Sequence, residues 1–275
     1  MPWLAERHAE WDEGRFLDDV TTHPRFLEWG LGRDDVAAEL ARSAADTYAE
    51  GVRAVYRCYA AARGKPRYGD KTPGYVFSLP LLGDLFPEAR FVQVIRDGRD
   101  AAVSIREAAA AAPPSARQLA KLWRRAVTSG RTWGATHPDR YAEVRYEDLV
   151  DDAEAELRRL CPFLALDFDP AMLDHQASAD RLLEVIERAH LHTRLRLEPT
   201  RRLRDWTVEM PPADVAAFEE AAGATLRACG YPTAPVPLRR RVRTVAGKVR
   251  ARLPRLPAGE TTSGSDRGGD GRLPG

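Results

Sequence analysis

The chain has 275 residues, of which 44% are hydrophobic, 30% charged and 8% aromatic. This composition is typical of a globular protein and excludes collagen-like and globally disordered chains. The length suits one large α/β domain or two small domains. The three cysteines lie far apart and form no C-x-x-C pair, so the sequence predicts neither a disulfide framework nor a zinc site.

Charge is distributed unevenly, although the formal net charge of the whole chain is only +1. Residues 236–275 contain ten basic and three acidic side chains, which leaves 32 basic and 38 acidic side chains in residues 1–235. The sequence therefore predicts an acidic body, 1–235, with net charge −6, and a basic tail, 236–275, with net charge +7. No window is apolar enough for a membrane span and the N-terminus does not resemble a signal peptide, so we expect a cytoplasmic protein.

The first part of the chain has the apolar spacing of helices. One or two short amphipathic helices are predicted before Pro24, and one long helix of about 28 residues is predicted from Asp34 toward Gly64. A short strand is expected at 67–69. Residues 75–86 then follow as a helix.

The middle of the chain carries the strongest strand signal, at residues 90–95, and this strand runs directly into a helix. A further helix is predicted at 115–136 and a strand at 141–146. The remaining predicted helices span residues 151–165, 181–190 and 211–229. Strands separated by helices imply a parallel sheet covered on both faces, a three-layer α/β/α architecture in which ligands bind beyond the carboxyl ends of the strands.

Two residues near the end of the strand at 90–95 suit an anion. Arg96 ends this strand, and Ser104 lies in the first turns of the next helix. A guanidinium and a hydroxyl beside a helix N-terminus favour a phosphate dianion, to which Arg99 is expected to add positive charge while Asp97 or Asp100 caps the helix. The alternative is an arginine–aspartate lattice that only organises the turn.

Two further strand ends carry polar side chains. Lys71 follows the predicted strand at 67–69, where its ammonium is able to meet a transferring group or a bridging oxygen. Tyr146 ends the strand at 141–146, where its ring is able to stack on a flat ligand. Taken alone, Lys71 is equally an exposed loop lysine without a role, and Tyr146 a residue that merely completes its strand.

In this order the segments resemble the sulfotransferases that use 3′-phosphoadenosine 5′-phosphosulfate, especially the branch acting on tyrosines and carbohydrates. The resemblance covers roughly residues 65–232 and rests on four stretches: Asp70–Pro73, Leu85–Ser104, Val144–Leu149, and Arg202–Trp206 with the helix after it. It implies a parallel-sheet fold like that of P-loop nucleoside kinases. The implied reaction transfers a sulfuryl group to an acceptor hydroxyl or amine, without a metal.

The resemblance also implies roles for single residues. Arg96 and Ser104 match the residues that hold the 3′-phosphate of the nucleotide, and Tyr146 matches one near the adenosine. Lys71 matches the catalytic lysine that meets the sulfuryl group or the bridging oxygen. Arg202 and Trp206 match less clearly a stretch that closes the cofactor site.

The family pattern is incomplete in this chain. Relatives begin with a β-loop-α unit whose P-R-S-G-T-T-like loop wraps the 5′-phosphosulfate with backbone N–H groups, and no such segment occurs in residues 1–275. Either the true start lies upstream of Met1, or the chain is a natural product that lacks half of the cofactor site. Residues 1–275 are expected to show no appreciable transfer activity, since the loop's donors are missing.

Other interpretations remain open. One is a non-catalytic nucleotide-binding or adaptor protein with the same fold. Another is a kinase of this fold group, which would need a Walker loop and magnesium ligands that the sequence does not show. A metal pair at His190 and His192 has no carboxylate or cysteine cluster beside it. Residues 238–253 have the spacing of a basic amphipathic helix, which predicts either weak contact with an anionic membrane surface or a solvated extension. The sequence does not indicate the oligomeric state.

Overall fold

The computed structural model of the chain describes residues 5–27, 29–109, 111–174 and 204–234. All of these except Ala234 belong to one compact unit, residues 1–233. Four helices come first: α1 (Glu13–Thr21), α2 (Pro24–Leu27), α3 (Arg33–Ser43) and α4 (Tyr48–Ala61). The middle of the chain then forms a 3₁₀ helix (Pro73–Phe77), α5 (Leu79–Leu85), β1 (Phe91–Ile95), α6 (Gly98–Ala108), α7 (Ala116–Thr136) and β2 (Tyr141–Arg145). The described part ends with α8 (Tyr146–Asp151), α9 (Ala153–Phe163), a 3₁₀ helix (Pro170–Leu173), α10 (Trp206–Glu209) and α11 (Pro212–Ala228).

The sheet of the described residues consists of β1 and β2, which pair in parallel with Phe91 opposite Tyr141 and Ile95 opposite Arg145. Helices α6 and α7 form the crossover between the two strands, as parallel pairing requires. The predicted α/β class is therefore confirmed. The predicted strand at 67–69 is wrong, because these exposed residues form no ladder with either strand.

Helix α7 packs closely against one face of the sheet. A β-carbon on Gly130 would overlap Gln93 and the Tyr141 hydroxyl, and one on Gly134 would overlap the Tyr141 ring. The Tyr141 hydroxyl donates to Gln93 Oε1 at 2.5 Å, which ties the two strands together beneath the helix. The glycines of α7 therefore fix the distance between helix and sheet.

The predicted long helix from Asp34 is in fact two helices, α3 and α4. Ala44 ends α3 with φ 47°, in the left-handed region, and the Thr47 side chain then accepts the Glu50 backbone N–H at 3.3 Å to cap α4. Both helices keep their apolar residues on the same buried cluster, so the helical spacing continues across the break.

Two buried hydrophobic clusters organise the unit. One lies among α1–α4 and centres on Phe16, Val36 and Val55. The other joins the end of β1 to α6, α7 and α11, with Phe218 and Leu226 fully buried. The candidate site belongs to this second cluster.

Several predicted features lie outside the described residues: the helix at 181–190, the histidine pair 190 and 192, Arg202 and the basic tail. The division into a body and a tail therefore stays a prediction. Within the described ranges, no helix is long and apolar enough to cross a membrane. Nor do these ranges contain a group of three or more metal-ligating side chains.

Candidate functional site

The parallel register brings Arg96 and Tyr146 together. Each residue directly follows a strand, and the strands end side by side because Ile95 lies opposite Arg145. The Arg96 guanidinium carbon lies 5.0 Å from the centroid of the Tyr146 ring. The Arg96 guanidinium and the Tyr146 ring therefore lie next to each other at the carboxyl end of the sheet.

Arg96 is held from several sides and keeps hydrogen-bonding capacity. Its Nη2 lies 3.5 Å from Asp100 Oδ2 and donates to the Arg204 carbonyl at 3.3 Å. Its own carbonyl accepts the Trp123 indole N–H at 3.1 Å. The buried Nε has no hydrogen-bond partner among the described residues. A buried donor left without a partner is costly, so this guanidinium is suited to a further acceptor.

Helix α6 begins at this point, and Asp97 caps it as predicted. Asp97 Oδ1 accepts the backbone N–H of Arg99 at 2.9 Å. Asp97 is 6% exposed, so the cap lies beneath the surface of the site. The helix N-terminus is therefore firmly fixed next to Arg96.

Arg99 does not add positive charge to an anion site, contrary to the sequence-based expectation. Its side chain is completely buried, and its guanidinium pairs with Asp97 at 2.7 Å and with Glu219 of α11 at 2.6 Å. The guanidinium carbon also lies 3.7 Å from the centroid of the Trp206 ring. Two carboxylates neutralise Arg99, which makes it a structural link between α6 and α11.

Glu147 and Tyr231 support the turn after β1, and sequence reasoning missed both. Glu147 accepts the backbone N–H of Asp97 at 3.0 Å and the Tyr231 hydroxyl at 2.7 Å. Burial, followed by the proximity of Glu147, raises the pKa of Tyr231, so this hydroxyl stays protonated and able to donate. The signal available in the sequence was the Gly230-Tyr231-Pro232 end of the last helix, which indicated a helix stop and no partner.

Ser104 is exposed and lies on α6, six residues after its first residue. That spacing corresponds to about 9 Å along the helix axis. Asp100 is four residues before Ser104, so both lie on the same face of the helix. Burial raises the pKa of Asp100, although the hydrogen bond from the Trp206 N–H and the nearby Arg96 act in the opposite direction.

The segment 204–206 lies along this face of α6. The Trp206 N–H donates to Asp100 Oδ1 at 2.9 Å, and Arg204 forms an ion pair with Glu107. Trp206, predicted as a cofactor-closing residue, therefore lies next to Arg96 through Asp100. Its ring stacks on the Arg99 guanidinium.

Lys71 is exposed and lies in an irregular segment before the 3₁₀ helix. Its neighbour Asp70 is anchored, since it accepts the hydroxyls of Tyr56 at 2.8 Å and Tyr75 at 2.5 Å. Burial, then the bond to Asp70, raises the pKa of Tyr75 to about 12. The segment of Lys71 is thus held by Tyr56 and Tyr75, whereas Arg96 is held by Asp100 and the Arg204 carbonyl, so the two candidate residues have separate supports.

Comparison with known proteins decides the family. The model of the sulfotransferase family matches residues 1–170 of the chain. The chain belongs to the sulfotransferase family. The matched residues include Lys71, Arg96, Ser104 and Tyr146, whereas Trp206 lies beyond them.

Curated relatives point to the same family. Protein-tyrosine sulfotransferase 1 of Danio rerio is 32% identical over 111 residues, which cover 39% of this chain and 31% of the relative. Protein-tyrosine sulfotransferase A of Caenorhabditis elegans is 30% identical over 175 residues, 60% of this chain and 45% of the relative. The chain thus spans less than half the length of either relative.

A solved structure shares the fold. The sulfotransferase domain from the Synechococcus PCC 7002 olefin synthase superposes with a TM-score of 0.53, at 24% identity, over 81% of this chain and 80% of that chain. This likeness confirms the sulfotransferase fold.

Proposed function

We propose that the chain binds 3′-phosphoadenosine 5′-phosphosulfate and belongs to an enzyme that transfers its sulfuryl group to an acceptor hydroxyl or amine. The observation that carries the proposal is the arrangement of Arg96. A half-buried guanidinium, whose Nε has no hydrogen-bond partner among the described residues, lies at the end of β1, beside the Tyr146 ring and the N-terminus of α6. Guanidinium groups suit phosphate because they offer several donors in one plane.

Each residue has a part in this proposal. Arg96 and Ser104 hold the 3′-phosphate, and Tyr146 lies against the adenosine. The nucleotide supplies an activated sulfuryl group when it is bound. The exposed ammonium of Lys71 stabilises negative charge near that group, on a loop fixed by Asp70 between two tyrosine hydroxyls.

The first acceptor to test is a tyrosine hydroxyl in a protein or peptide. The names of the curated relatives support this choice, since they describe protein-tyrosine sulfotransferases. The acceptor oxygen must lose its proton during transfer.

The nucleotide part of the proposal is tested with binding. We expect residues 1–275 to bind 3′-phosphoadenosine 5′-phosphate more tightly than adenosine 5′-phosphate, because only the former carries the 3′-phosphate. Arg96→Ala is expected to weaken binding of the 3′-phosphorylated nucleotide by at least about tenfold, the usual effect of losing one charged hydrogen bond. Binding of adenosine 5′-phosphate should change little. Isothermal titration calorimetry measures all four affinities.

The matched control is Arg106→Ala. Arg106 lies on the same helix but pairs with Asp214 of α11 at 2.5 Å. Removal of this positive charge should leave both affinities within about twofold, as expected of a surface pair. Equal affinity of the wild type for the two nucleotides would contradict the proposed function.

Transfer is tested separately from binding. The sequence of residues 1–275 has no P-R-S-G-T-T-like segment to hold the 5′-phosphosulfate. We therefore expect these residues to bind the nucleotide but not to convert 3′-phosphoadenosine 5′-phosphosulfate into 3′-phosphoadenosine 5′-phosphate when tyrosine peptides are added. Acceptor-dependent release would show that the chain is catalytic on its own. Binding without release is also what the second candidate, a non-catalytic nucleotide-binding protein, predicts, and an upstream-extended chain that remains inactive would favour it.

A further inference from the structure

One carboxylate lies directly beside the proposed phosphate-binding arginine. Asp100 is 8% exposed, and its Oδ2 lies 3.5 Å from Arg96 Nη2. Its other oxygen, Oδ1, accepts the Trp206 backbone N–H at 2.9 Å. Oδ1 therefore holds the segment of Trp206 in place, whereas Oδ2 pairs with the charge of Arg96.

The position of Asp100 places it close to any phosphate on Arg96. Asp100 is the third residue of α6 and lies on the same helix face as Ser104, one turn away. A phosphate that contacts both Arg96 and Ser104 has to lie within a few ångströms of the Asp100 carboxylate. Two anions at such a distance repel each other, and partial burial weakens the screening by water.

The ion pair also neutralises Arg96 when no nucleotide is bound. A guanidinium paired with a carboxylate attracts a phosphate dianion less strongly than an unpaired one. A phosphate that accepts from Nη2 therefore competes with Asp100 for that donor, and one that accepts from Nε, which has no partner among the described residues, still lies close to the Asp100 charge. Asp100 weakens phosphate binding both by occupying Arg96 and by its own negative charge.

We infer that Asp100 is a specificity-determining residue of the nucleotide site, whose carboxylate limits affinity for the 3′-phosphate dianion. The inference rests on the proposed function, because it assumes that the 3′-phosphate binds at Arg96. Its consequence for the reaction is that the product, which keeps the 3′-phosphate, is held less tightly and leaves more readily. Asp100 does not touch the reacting atoms in this account.

The test compares neutral variants that do and do not keep the structural hydrogen bond. Asp100→Asn removes the charge, and its amide oxygen still accepts the Trp206 N–H. Asp100→Ala removes both. If Asp100 limits phosphate affinity, Asp100→Asn binds 3′-phosphoadenosine 5′-phosphate about threefold to tenfold more tightly than the wild type. Its affinity for adenosine 5′-phosphate stays within about twofold.

A purely structural role for Asp100 predicts different results. Asp100→Asn would then match the wild type with both nucleotides, and only Asp100→Ala would bind more weakly. That result, or weaker binding by Asp100→Asn, overturns the inference. Asp100→Ser, which is neutral and keeps a hydroxyl acceptor, takes the place of Asp100→Asn if a thermal melt shows that the latter does not fold.

Asp214→Asn controls for overall charge. Asp214 contributes the same negative charge near α6 but pairs with Arg106, away from Arg96. It should leave both affinities unchanged, and an equal gain in this variant would also overturn the inference. Failure of the proposed function looks different. There, the wild type does not discriminate between the nucleotides and Arg96→Ala changes nothing, and the inference falls with it.

Discussion

At the scale of single residues, Arg96 and Arg99 show that two arginines three positions apart have opposite environments. Arg96 has a buried donor without a partner in the described part of the chain, whereas Arg99 is fully enclosed by Asp97, Glu219 and the Trp206 ring. The sequence R-D-G-R-D gives both the same local chemistry. Only the packing of α11 against α6 distinguishes them, and the sequence does not show which acidic residue of α11 faces α6.

Arg99→Ala is expected to be strongly destabilising. The change leaves two mostly buried carboxylates, Asp97 and Glu219, without their cation, and breaking a buried ion pair in this way costs about 3–5 kcal/mol in the free energy of unfolding. Urea denaturation followed by circular dichroism measures the loss. Arg106→Ala is the comparison, since its more exposed pair with Asp214 should contribute about 1 kcal/mol or less. Similar losses in the two variants would contradict the structural role of Arg99.

At the scale of elements, local patterns predict well where a single signal decides. The two strands and the helices α7 and α11 form within a residue or two of their predicted ends. The alternation of β-branched residues in β1 and the helical spacing of α7 are strong local signals. The break between α3 and α4 was missed because it depends on Ala44, a residue type that rarely adopts a positive φ.

The close approach of α7 to the sheet gives a prediction for Gly130. A β-carbon at Gly130 would overlap Gln93 and lie 2.7 Å from the Tyr141 hydroxyl, so Gly130→Ala must push the helix from the sheet or break the bond between those side chains. Such overpacking typically costs about 1–3 kcal/mol, even though alanine favours helices. Thermal or urea unfolding measures the change.

Gly69→Ala is the matched control for that substitution. Its own chain neighbours aside, no atom of the described residues lies within 4 Å of the β-carbon it would add. The free energy of unfolding of Gly69→Ala should stay within about 0.5 kcal/mol of that of the wild type. A Gly130→Ala protein as stable as this control would mean that α7 and the sheet adjust without cost.

At the scale of the whole molecule, the two hydrophobic clusters divide the candidate site. Trp206 packs against the cluster formed by β1, α6, α7 and α11, and Arg96 directly follows Ile95 of that cluster. Lys71 instead follows α4, and its neighbour Asp70 is held by Tyr56 of that helix. Arg53 of α4 pairs with Glu88 at 2.7 Å and donates to the Leu85 carbonyl at 3.0 Å, which links α4 to the segment just before β1.

This division explains how much of the site could be predicted. Motif order placed Lys71, Arg96 and Tyr146 near strand ends or loops, because each motif is local. The partners that hold them come from distant segments, as Glu147, Glu219 and Tyr231 show, and such contacts depend on tertiary packing. The sequence therefore predicts the positions of these residues along the chain better than the groups that fix them in place.

The parallel register of β1 and β2 determines where residues can be inserted without moving Arg96 away from Tyr146. The separation of Arg96 and Tyr146 is set by the ladder that ends at Ile95 and Arg145, and not by the number of residues between the strands. Insertions in the connection at 109–115 add only a slowly growing closure entropy. One residue inserted within either strand would exchange its two faces. Insertions and deletions in that connection therefore leave this pair in place, whereas a single one inside a strand shifts the register that brings the two residues together.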